Sequence, residues 1–431
     1  MTQQTPAAGP VGAGQRIVSL DRLRGVAILG ILVMNVYTFA MPFIGYMDPL
    51  RVGGTEPYNV GTWMFTHILF DQKFLSIFAM LFGAGLVLMT ERAEARGAKP
   101  ARFYFRRQFW LLVIGALHGY FIWFGDILFA YALIGMLVYR ARKWRPRTLV
   151  ILACLLLPVT LLFNLGNAKM MEQAMVRVAE IEVLQEAGEA LDEEQQRILE
   201  DWEQQRAFAF PTDEDIRRET EAYLGSYLDA VEYRAPLVAM MQVFMVLFYG
   251  LWRISALMLI GMALMKLGVL TADRSTGFYA RFTLVFYALG LPLTVFSAVD
   301  LYAHEFDQLY FMRAGGVANY VGSIFVALGH IGLVMWLTKT GVLQRLMDRF
   351  AAVGRMALTN YLAHSVILTT VFYGYGLGLF GSVPRFWQMF FVAAVVGLQL
   401  LWSTWWLQRY RFGPVEWVWR SLTYGSKQAM K

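Results

Sequence analysis

The amino-acid sequence predicts an all-α fold: a polytopic membrane helix bundle of about ten transmembrane helices, with a small helical extracytoplasmic insert. Hydrophobic residues make up 58% of the 431 positions and charged residues only 16%, whereas soluble domains carry roughly 25% charged residues. Apolar runs of about 20 residues, the length that crosses a hydrocarbon core, recur through most of the chain. The charged residues concentrate in the loops between these runs.

The predicted spans are the apolar runs that charged loops bound on both sides. They cover residues 17–40, 63–90, 103–122, 126–140, 148–166, 237–266, 276–298, 315–338, 356–379 and 386–408. This division gives five regions: a disordered cytoplasmic tail at 1–15, an N-terminal bundle of five spans at 16–166, an acidic insert at 167–235, a C-terminal bundle of five spans at 236–410 and a cytoplasmic segment at 411–431.

The distribution of charge predicts the orientation. Lys and Arg cluster after every even-numbered span, as in the loop from Arg92 to Arg107. The loops on the other side are acidic or nearly neutral, and residues 167–234 contain 7 Lys and Arg against 18 Asp and Glu. Because basic loops stay in the cytoplasm, both termini are predicted to be cytoplasmic. Within the insert, Pro211 breaks a polar run and Thr212 can cap the next helix, which predicts two or three polar helices. A solvated spacer is the other interpretation of the insert.

Ionisable residues inside the predicted spans are candidates for function, because placing a charge at bilayer depth costs at least ~2.5 to 3.5 kcal/mol. Asp21 and Arg24 can pair at i, i+3, although Arg24 can also serve only to anchor the helix end. Asp71 and Lys73 can neutralise each other, or Lys73 can contact an anionic group. The residues predicted to line a cavity are Asp21, Asn35, Asp71, Lys73, Arg253, Asn360 and His364.

The third predicted span places Arg107 and His118 eleven positions apart, which is about three helical turns and about 16 Å. Asp126 begins the next span, so a tight turn would bring its carboxylate close to His118. An imidazole beside a carboxylate can act as a general base, because the carboxylate fixes the tautomer and stabilises the charged form. The alternative role of His118 is a hydrogen bond between helices.

Several functional classes lack any local motif. The sequence contains no Walker loop, dinucleotide fingerprint, HExxH motif or nucleophile elbow. Cys154, the single cysteine, lies within an apolar run, so neither a disulfide framework nor a cysteine metal site is expected. We expect no metal cofactor, and the placement of basic residues in short membrane loops favours membrane lipids over nucleic acid as partners.

Five sequence blocks, in order along nearly the whole chain, resemble the YeiB-like family of bacterial inner-membrane proteins, a domain-of-unknown-function family. They are LDRLRGVAILGILVMN from Leu20, KFLSIFAMLFGAGL from Lys73, IGALHGYFIWFGDILFAYALIG from Ile114, GRMALTNYL from Gly354 and GPVEWVWRSLTY from Gly413. The resemblance implies a multi-pass protein of the bacterial inner membrane. The family distantly resembles transmembrane acyltransferases such as heparan-glucosaminide N-acetyltransferase. The O-acetylating enzymes of that group carry an Arg-x10-His signature in the first span, where this chain has Arg24 and Asn35.

The more distant resemblance implies an acyltransferase that takes an acyl group, in the first instance acetyl, from cytoplasmic acyl-CoA. The acceptor would be a small molecule or a glycan on the outer side, with His118 and Asp126 as the catalytic pair. Arg24, Arg106 and Arg107 would bind the phosphates of the donor. The alternative is a transporter or flippase whose buried ionisable residues line a substrate path, and a non-enzymatic membrane scaffold is a third interpretation. The sequence predicts no oligomeric state.

Overall fold

The computed structural model describes residues 16–431, and the predicted tail at 1–15 lies outside the described residues. The described part of the chain is helical and contains no strand. Seven helical stretches of it are long and apolar enough to cross a membrane. They are Val18–Ala40, Pro57–Ala95, Pro146–Glu186, Tyr227–Lys266, Thr276–Ala303, Gln308–Thr340 and Arg385–Leu407. The chain is therefore a multi-pass membrane helix bundle.

The α-helices are numbered in chain order. The first nine are α1 (Val18–Ala40), α2 (Ile44–Met47), α3 (Pro57–Leu69), α4 (Lys73–Ala95), α5 (Pro100–Phe121), α6 (Leu128–Leu137), α7 (Pro146–Glu186), α8 (Glu193–Ala209) and α9 (Asp213–Leu224). The others are α10 (Tyr227–Phe244), α11 (Ser255–Lys266), α12 (Thr276–Ala303), α13 (Gln308–Tyr310), α14 (Gly316–Thr340), α15 (Gln344–Arg355), α16 (Ala357–Phe372), α17 (Arg385–Leu407) and α18 (Pro414–Tyr424).

Three predicted spans do not appear among the seven long apolar helices: 103–122, 126–140 and 356–379. The first corresponds to α5, which carries the charged pair Arg106 and Arg107. The second is ten residues of α6 followed by a 3₁₀ turn at Val138–Lys143. The third ends early, at Phe372, because the glycine-containing segment that follows forms turns. The count of about ten spans thus stays a prediction.

Two further predicted spans have different boundaries in the structure. The span at 63–90 is not continuous: α3 ends at Leu69, and Gln72, with φ of 62°, turns the chain before α4 begins. The polar residues Asp71 and Lys73 flank this break, where their side chains bind partners on another helix. The span at 148–166 belongs to α7, which continues for 41 residues into the insert.

The insert consists of polar helices, as the sequence predicts. After α7, the helices α8 and α9 each begin with a capping box, at Asp192 and at Thr212. In such a box the side chain of the cap residue accepts a hydrogen bond from a backbone N–H of the first turn. A side chain of that turn accepts one from the backbone N–H of the cap residue. The predicted cap at Thr212 is confirmed. The chain returns to the bundle through α10.

Helices α4 and α11 cross at close range because each has a glycine at the crossing. A Cβ on Gly83 would lie 2.0 Å from the carbonyl oxygen of Met258, and a Cβ on Gly261 would lie 1.9 Å from that of Met80. Small residues at such crossings let two backbones approach, so that van der Waals packing holds the helices together. Gly85, on the same helix as Gly83, has open space around its Cα.

We predict that Gly83→Ala destabilises the bundle and that Gly85→Ala does not. The added methyl at position 83 would overlap a backbone oxygen, and overpacking of this kind costs about 1 to 3 kcal/mol. At position 85 the methyl has room, and helix propensity favours alanine. Thermal unfolding of both variants in detergent measures the difference; equal midpoints would contradict the packing described for α4 and α11.

The predicted orientation requires the turn between α7 and α8 to lie outside the cytoplasm. In a Cys154→Ser background, Glu189→Cys in that exposed turn should react with an impermeant thiol reagent in intact cells. Val342→Cys, exposed in the loop between α14 and α15, should react only after lysis. The opposite labelling pattern would reverse the orientation.

Candidate functional site

The loop between α5 and α6 brings a histidine and an aspartate together inside the bundle. His118 lies in the last turn of α5, and its Nδ1 is 2.7 Å from Oδ2 of Asp126. Their side chains are 1% and 2% exposed. The other carboxylate oxygen of Asp126 accepts a hydrogen bond of 2.9 Å from the backbone N–H of Phe129, in the first turn of α6. The contact that the sequence predicts between His118 and Asp126 is present; its chemical role stays a prediction.

A glycine makes this geometry possible. A Cβ on Gly115, three residues before His118, would lie 2.5 Å from the backbone nitrogen of Phe129 and 2.8 Å from Oδ1 of Asp126. Any larger residue at this position would push the start of α6 away from α5. Gly115 therefore sets the separation of the two helices that carry the histidine and the aspartate.

The second ring nitrogen of His118 has a partner on a distant part of the chain. Its Nε2 is 2.8 Å from Oγ of Ser365, which lies on α16 and is 1% exposed. With Asp126 ionised, and hence only an acceptor, Nδ1–H of the ring donates to the carboxylate. Nε2 of the neutral ring then accepts from the Ser365 hydroxyl. The three side chains form a continuous Asp–His–Ser relay.

The Ser365 hydroxyl has a different kind of hydrogen-bond partner from the threonine hydroxyls that follow it on α16. Thr369 and Thr370 both donate to the carbonyl of Val366, one turn earlier, at 3.4 and 2.7 Å. Such bonds to the preceding turn are the usual arrangement for hydroxyl residues in helices. Ser365 instead directs its hydroxyl to His118, 247 positions away in sequence. Sequence reasoning missed Ser365, because one serine in an apolar helix carries no signal of a partner so far along the chain.

Aromatic rings enclose the imidazole. Trp123 stacks on Phe39 with ring centroids 4.2 Å apart, and its centroid is 6.1 Å from that of His118. Tyr361, one turn before Ser365, has its ring 5.3 Å from the imidazole. The indole N–H of Trp123 is buried and has no hydrogen-bond partner among the described residues. An unpaired buried donor costs about 1 to 3 kcal/mol, so an oxygen atom bound here would relieve an existing penalty.

The insert and its return helix close this end of the bundle. Arg234 on α10 is fully buried and donates to the carbonyls of Tyr120, Phe121 and Ile122 at 3.0, 2.9 and 2.8 Å. These carbonyls end the helix that carries His118, where helices have unpaired acceptors and cations are favourable. Sequence reasoning missed this role of Arg234, since the residue looks like part of the charged insert.

A second link joins the insert to the loop after α1. Glu219 on α9 accepts a hydrogen bond of 3.1 Å from the backbone N–H of Phe43, and the ring of Phe43 packs edge-on against Phe124. Burial raises the pKa of Glu219 to about 7. Phe43 packs against a buried aromatic cluster that contains Phe39, Trp123 and Phe124. We call this end of the bundle, which carries His118 and the insert, the insert end.

Arginines gather at the opposite end of α5, which we call the arginine end. The guanidinium of Arg107 lies 3.5 Å above the ring of Trp419 on α18, whose indole N–H donates to the carbonyl of Arg107 at 3.0 Å. Arg24 pairs with Asp21 at 2.9 Å, as the i, i+3 spacing predicts. Arg106 is exposed, and its guanidinium lies beside Gly425, where a Cβ would be 2.9 Å from it.

The structure adds three arginines, Arg16, Arg355 and Arg420, to those predicted at this end. Burial lowers the pKa of Arg420, and Arg16 and Arg24 lower it further, although Tyr424 raises it. Burial and Arg16 also lower the pKa of Arg355. Arg420 in turn acts electrostatically on Arg107. The arginine cluster, defined as Arg16, Arg24, Arg107, Arg355 and Arg420, therefore contains cations close enough to repel one another.

Few carboxylates offset the arginine cluster. Asp21 is paired with Arg24. Glu416 is buried and accepts from the backbone N–H groups of Leu358 and Thr359 at 2.7 and 3.0 Å, so it holds the start of α16. Excess positive charge of this kind attracts anions, and arginine is well suited to phosphate because its planar fork binds two oxygens together.

A second polar cluster lies near the break between α3 and α4. Asn319 on α14 donates to Asp71 at 2.6 Å and accepts from the ammonium of Lys73 at 2.6 Å. Lys73 also donates to the carbonyl of His67 at 2.5 Å, and Tyr46 donates to Asp71 at 2.7 Å. Asp71 and Lys73 therefore do not pair directly: an amide bridges them. Neither residue hydrogen-bonds to His118.

Arg253 is fully buried near this cluster, at the end of a π-helical segment, Met245–Ile254. It donates to the carbonyl of Tyr320 at 2.9 Å and to Ser323 at 2.8 Å, and its guanidinium lies 4.1 Å from the ring centroid of Tyr320. Among the described residues no carboxylate is within ion-pair distance of it. The cluster thus contains two basic side chains, Lys73 and Arg253, and one aspartate, Asp71.

Of the remaining predicted cavity residues, Asn360 and His364 have side-chain partners. Asn360 donates to Ser403 at 3.0 Å and accepts from the indole N–H of Trp402 at 2.8 Å. His364 lies 2.9 Å from Gln399, but its Nδ1 has no partner within the described range. Asn35 is half-buried on α1. Within residues 16–431 no group of three His, Cys, Asp or Glu side chains could hold a metal ion.

Comparison with known proteins places this chain among proteins of undetermined function. The family model "Protein of unknown function (DUF418)" matches residues 264–426, a range that includes Ser365. The uncharacterized protein YeiB of Escherichia coli (strain K12) is 32% identical, over 95% of this chain and 96% of its own length. The uncharacterized protein YxaH of Bacillus subtilis (strain 168) is 30% identical, over 97% of each chain. No solved structure matches this chain.

Proposed function

The chain belongs to the YeiB-like family of proteins of unknown function, and from the geometry of its site we propose that it is a membrane acyltransferase. It would move an acyl group from acyl-CoA to a hydroxyl or amine of an acceptor, with His118 as general base. The observation that carries the proposal is the buried pair of His118 and Asp126, 2.7 Å apart. A carboxylate on one ring nitrogen leaves the other poised to take a proton.

The arginine end supplies a place for the donor. Coenzyme A carries several phosphate charges, and the arginine cluster is a group of five guanidinium ions that few carboxylates offset. Arg107 and His118 are on the same helix, about 16 Å apart along its axis, a distance that an extended pantetheine arm can span. The phosphates would bind at Arg107 and its neighbours while the thioester reaches His118.

Acceptor and donor would meet at His118. The ring centroid of Trp123 is 6.1 Å from that of the imidazole, and its unpaired indole N–H would donate to the oxygen that becomes negatively charged when a thioester carbonyl is attacked. Burial excludes water, which would otherwise compete with the acceptor. The orientation predicted from the loops would have the donor enter from the cytoplasm and the acceptor from the insert end.

The first test separates donor binding from chemistry. His118→Ala should reduce acetyl transfer or acetyl-CoA hydrolysis by about a hundredfold or more, because the base is lost, while acetyl-CoA binding is kept. Arg107→Ala should weaken binding by about 1.5 to 3 kcal/mol, the value of a hydrogen bond to a charged group. Calorimetry on purified protein measures acetyl-CoA binding. Thin-layer chromatography or mass spectrometry measures the acetylated product and free CoA. Lys427→Ala, exposed in the C-terminal segment, is the matched charge control.

The second test concerns Trp123. Replacement by Phe keeps an aromatic ring stacked on Phe39 but removes the N–H, so transfer should slow by about 10²-fold to 10³-fold if the indole binds the developing oxyanion. Affinity for acetyl-CoA should change little, since the ground-state carbonyl carries less charge. A Trp123→Phe enzyme with the full rate would remove this residue from the site.

The second polar cluster supports one alternative, a transporter or flippase. Its basic side chains, Lys73 and Arg253, outnumber its one aspartate, Asp71, which would favour an anionic substrate, and buried ionisable residues mark substrate paths. The two functions predict different results. If purified protein binds no acyl-CoA at millimolar concentration and movement of a lipid or sugar depends on Lys73, the transporter replaces the acyltransferase. If Lys73→Met leaves acetyl transfer intact while His118→Ala abolishes it, the cluster is structural.

A further inference from the structure

We propose that Ser365 is a covalent nucleophile: it accepts the acyl group from the donor and then passes it to the acceptor. This inference rests on the proposed acyl transfer and specifies how that transfer proceeds. Nothing in the sequence pointed to Ser365, and it enters only through the hydrogen bond of 2.8 Å between its Oγ and Nε2 of His118.

The arrangement meets the geometric requirements for an activated serine. A serine hydroxyl is a weak nucleophile until an adjacent base takes its proton, and that base needs a third group to orient it. Here Nε2 of His118 accepts from Ser365 at 2.8 Å, and Asp126 holds Nδ1 at 2.7 Å. These are the hydrogen bonds and the order of groups that define a Ser–His–Asp triad, which is recognised by geometry and not by sequence position.

A direct transfer mechanism is harder to reconcile with the same atoms. Nε2 of His118 is the only ring nitrogen that can receive a proton from an acceptor, and Ser365 occupies it. An acceptor would have to displace the serine hydroxyl, which has no other hydrogen-bond partner in the described part of the chain. Displacement would leave that hydroxyl buried and unpaired, at a cost of about 1 to 3 kcal/mol.

The chemical steps balance without any further reagent. Oγ of Ser365 attacks the thioester carbonyl as its proton moves to Nε2 of His118, and a tetrahedral oxyanion forms. The carbon–sulfur bond then breaks, CoA thiolate leaves and takes the proton from the imidazolium, and an acyl-serine ester remains. In the second half, the acceptor hydroxyl or amine gives its proton to Nε2 and attacks the ester. The carbon–oxygen bond to Ser365 breaks, and the proton returns to Oγ.

Burial protects the ester between the two halves. Ser365 and His118 are each 1% exposed, and the rings of Trp123 and Tyr361 adjoin the imidazole. Water, the competing acceptor, is excluded from such a site. An acyl-serine also allows CoA to leave before the acceptor arrives, so donor and acceptor do not need to occupy the enclosed site together.

The test is single-turnover labelling in the absence of acceptor. Purified full-length protein is mixed with acetyl-CoA carrying a labelled acetyl group and quenched in acid, and peptides are mapped by mass spectrometry. We expect stoichiometric label on Ser365 with a matching burst of free CoA. Ser365→Ala should lose label and burst and slow steady-state transfer by about a thousandfold or more, yet bind acetyl-CoA like the wild type. Ser403→Ala, a buried serine on α17 bonded to Asn360, should label normally.

The outcomes distinguish this inference from the proposed function. Transfer that depends on His118 but leaves no label on Ser365, and that survives Ser365→Ala, overturns the covalent step and leaves the acyltransferase intact. The absence of acetyl-CoA binding and of any activity that depends on His118 overturns both. Label on Ser365 in wild type that disappears in His118→Ala supports both, because it requires a donor, a base and a nucleophile in one site.

Discussion

Inside a membrane bundle a polar group can be satisfied only by a partner within the protein, because hydrocarbon offers none. This constraint organises the site. The imidazole of His118 is satisfied on both sides, by Asp126 and by Ser365, and the two partners come from a loop and from a helix far along the chain. The same constraint ties α5 to α10, since the carbonyls that end α5 are satisfied by Arg234. Buried hydrogen bonds thus position both the candidate catalytic side chains and the end of the helix that carries His118.

The two ends of α5 have opposite chemistry, and this asymmetry gives the proposed reaction its direction. At the arginine end, guanidinium groups repel one another and few carboxylates offset them. At the insert end, Asp126 pairs with His118, Arg234 and Glu219 hydrogen-bond to backbone groups, and aromatic side chains pack close by. A polyanionic donor gains most from the first environment, and a reaction that must avoid water gains most from the second. One helix connects the two, so binding and chemistry can be altered independently.

Much of this was accessible from the sequence, for identifiable reasons. The fold class, the Thr212 cap, the Asp21–Arg24 pair and the His118–Asp126 contact all depend on neighbours within a few residues, and local spacing predicts such contacts well. The break at Gln72 was missed because the polar residues Asp71–Lys73 form only a short interruption between two apolar runs, and the early end of α16 was missed because apolar residues continue beyond Phe372. Ser365, Arg420 and Asn319 were missed for a different reason. Each of them lies more than two hundred positions from its partner, and a single sequence carries no signal for such pairs.

The bridge between Asp71 and Lys73 illustrates why apparent ion pairs in a sequence need a structure before they are assigned a function. Two opposite charges two positions apart look self-neutralising, yet an α-helix does not place i and i+2 side chains on one face. The helix is interrupted at Gln72, between Asp71 and Lys73. The side-chain amide of Asn319 then hydrogen-bonds to both residues. The cluster so formed joins α14 to the break between α3 and α4. Among the described residues, Asp71 and Lys73 have hydrogen-bond partners of their own, whereas the contacts of Arg253 are two hydroxyls, a carbonyl and aromatic faces. His67, in this cluster, and His118 each lie between a carboxylate and a serine hydroxyl. The contacts of His118, at 2.7 and 2.8 Å, are shorter than those of His67 to Asp71 and Ser297, at 3.4 and 3.3 Å, and the proposed chemistry is assigned to His118 on that difference.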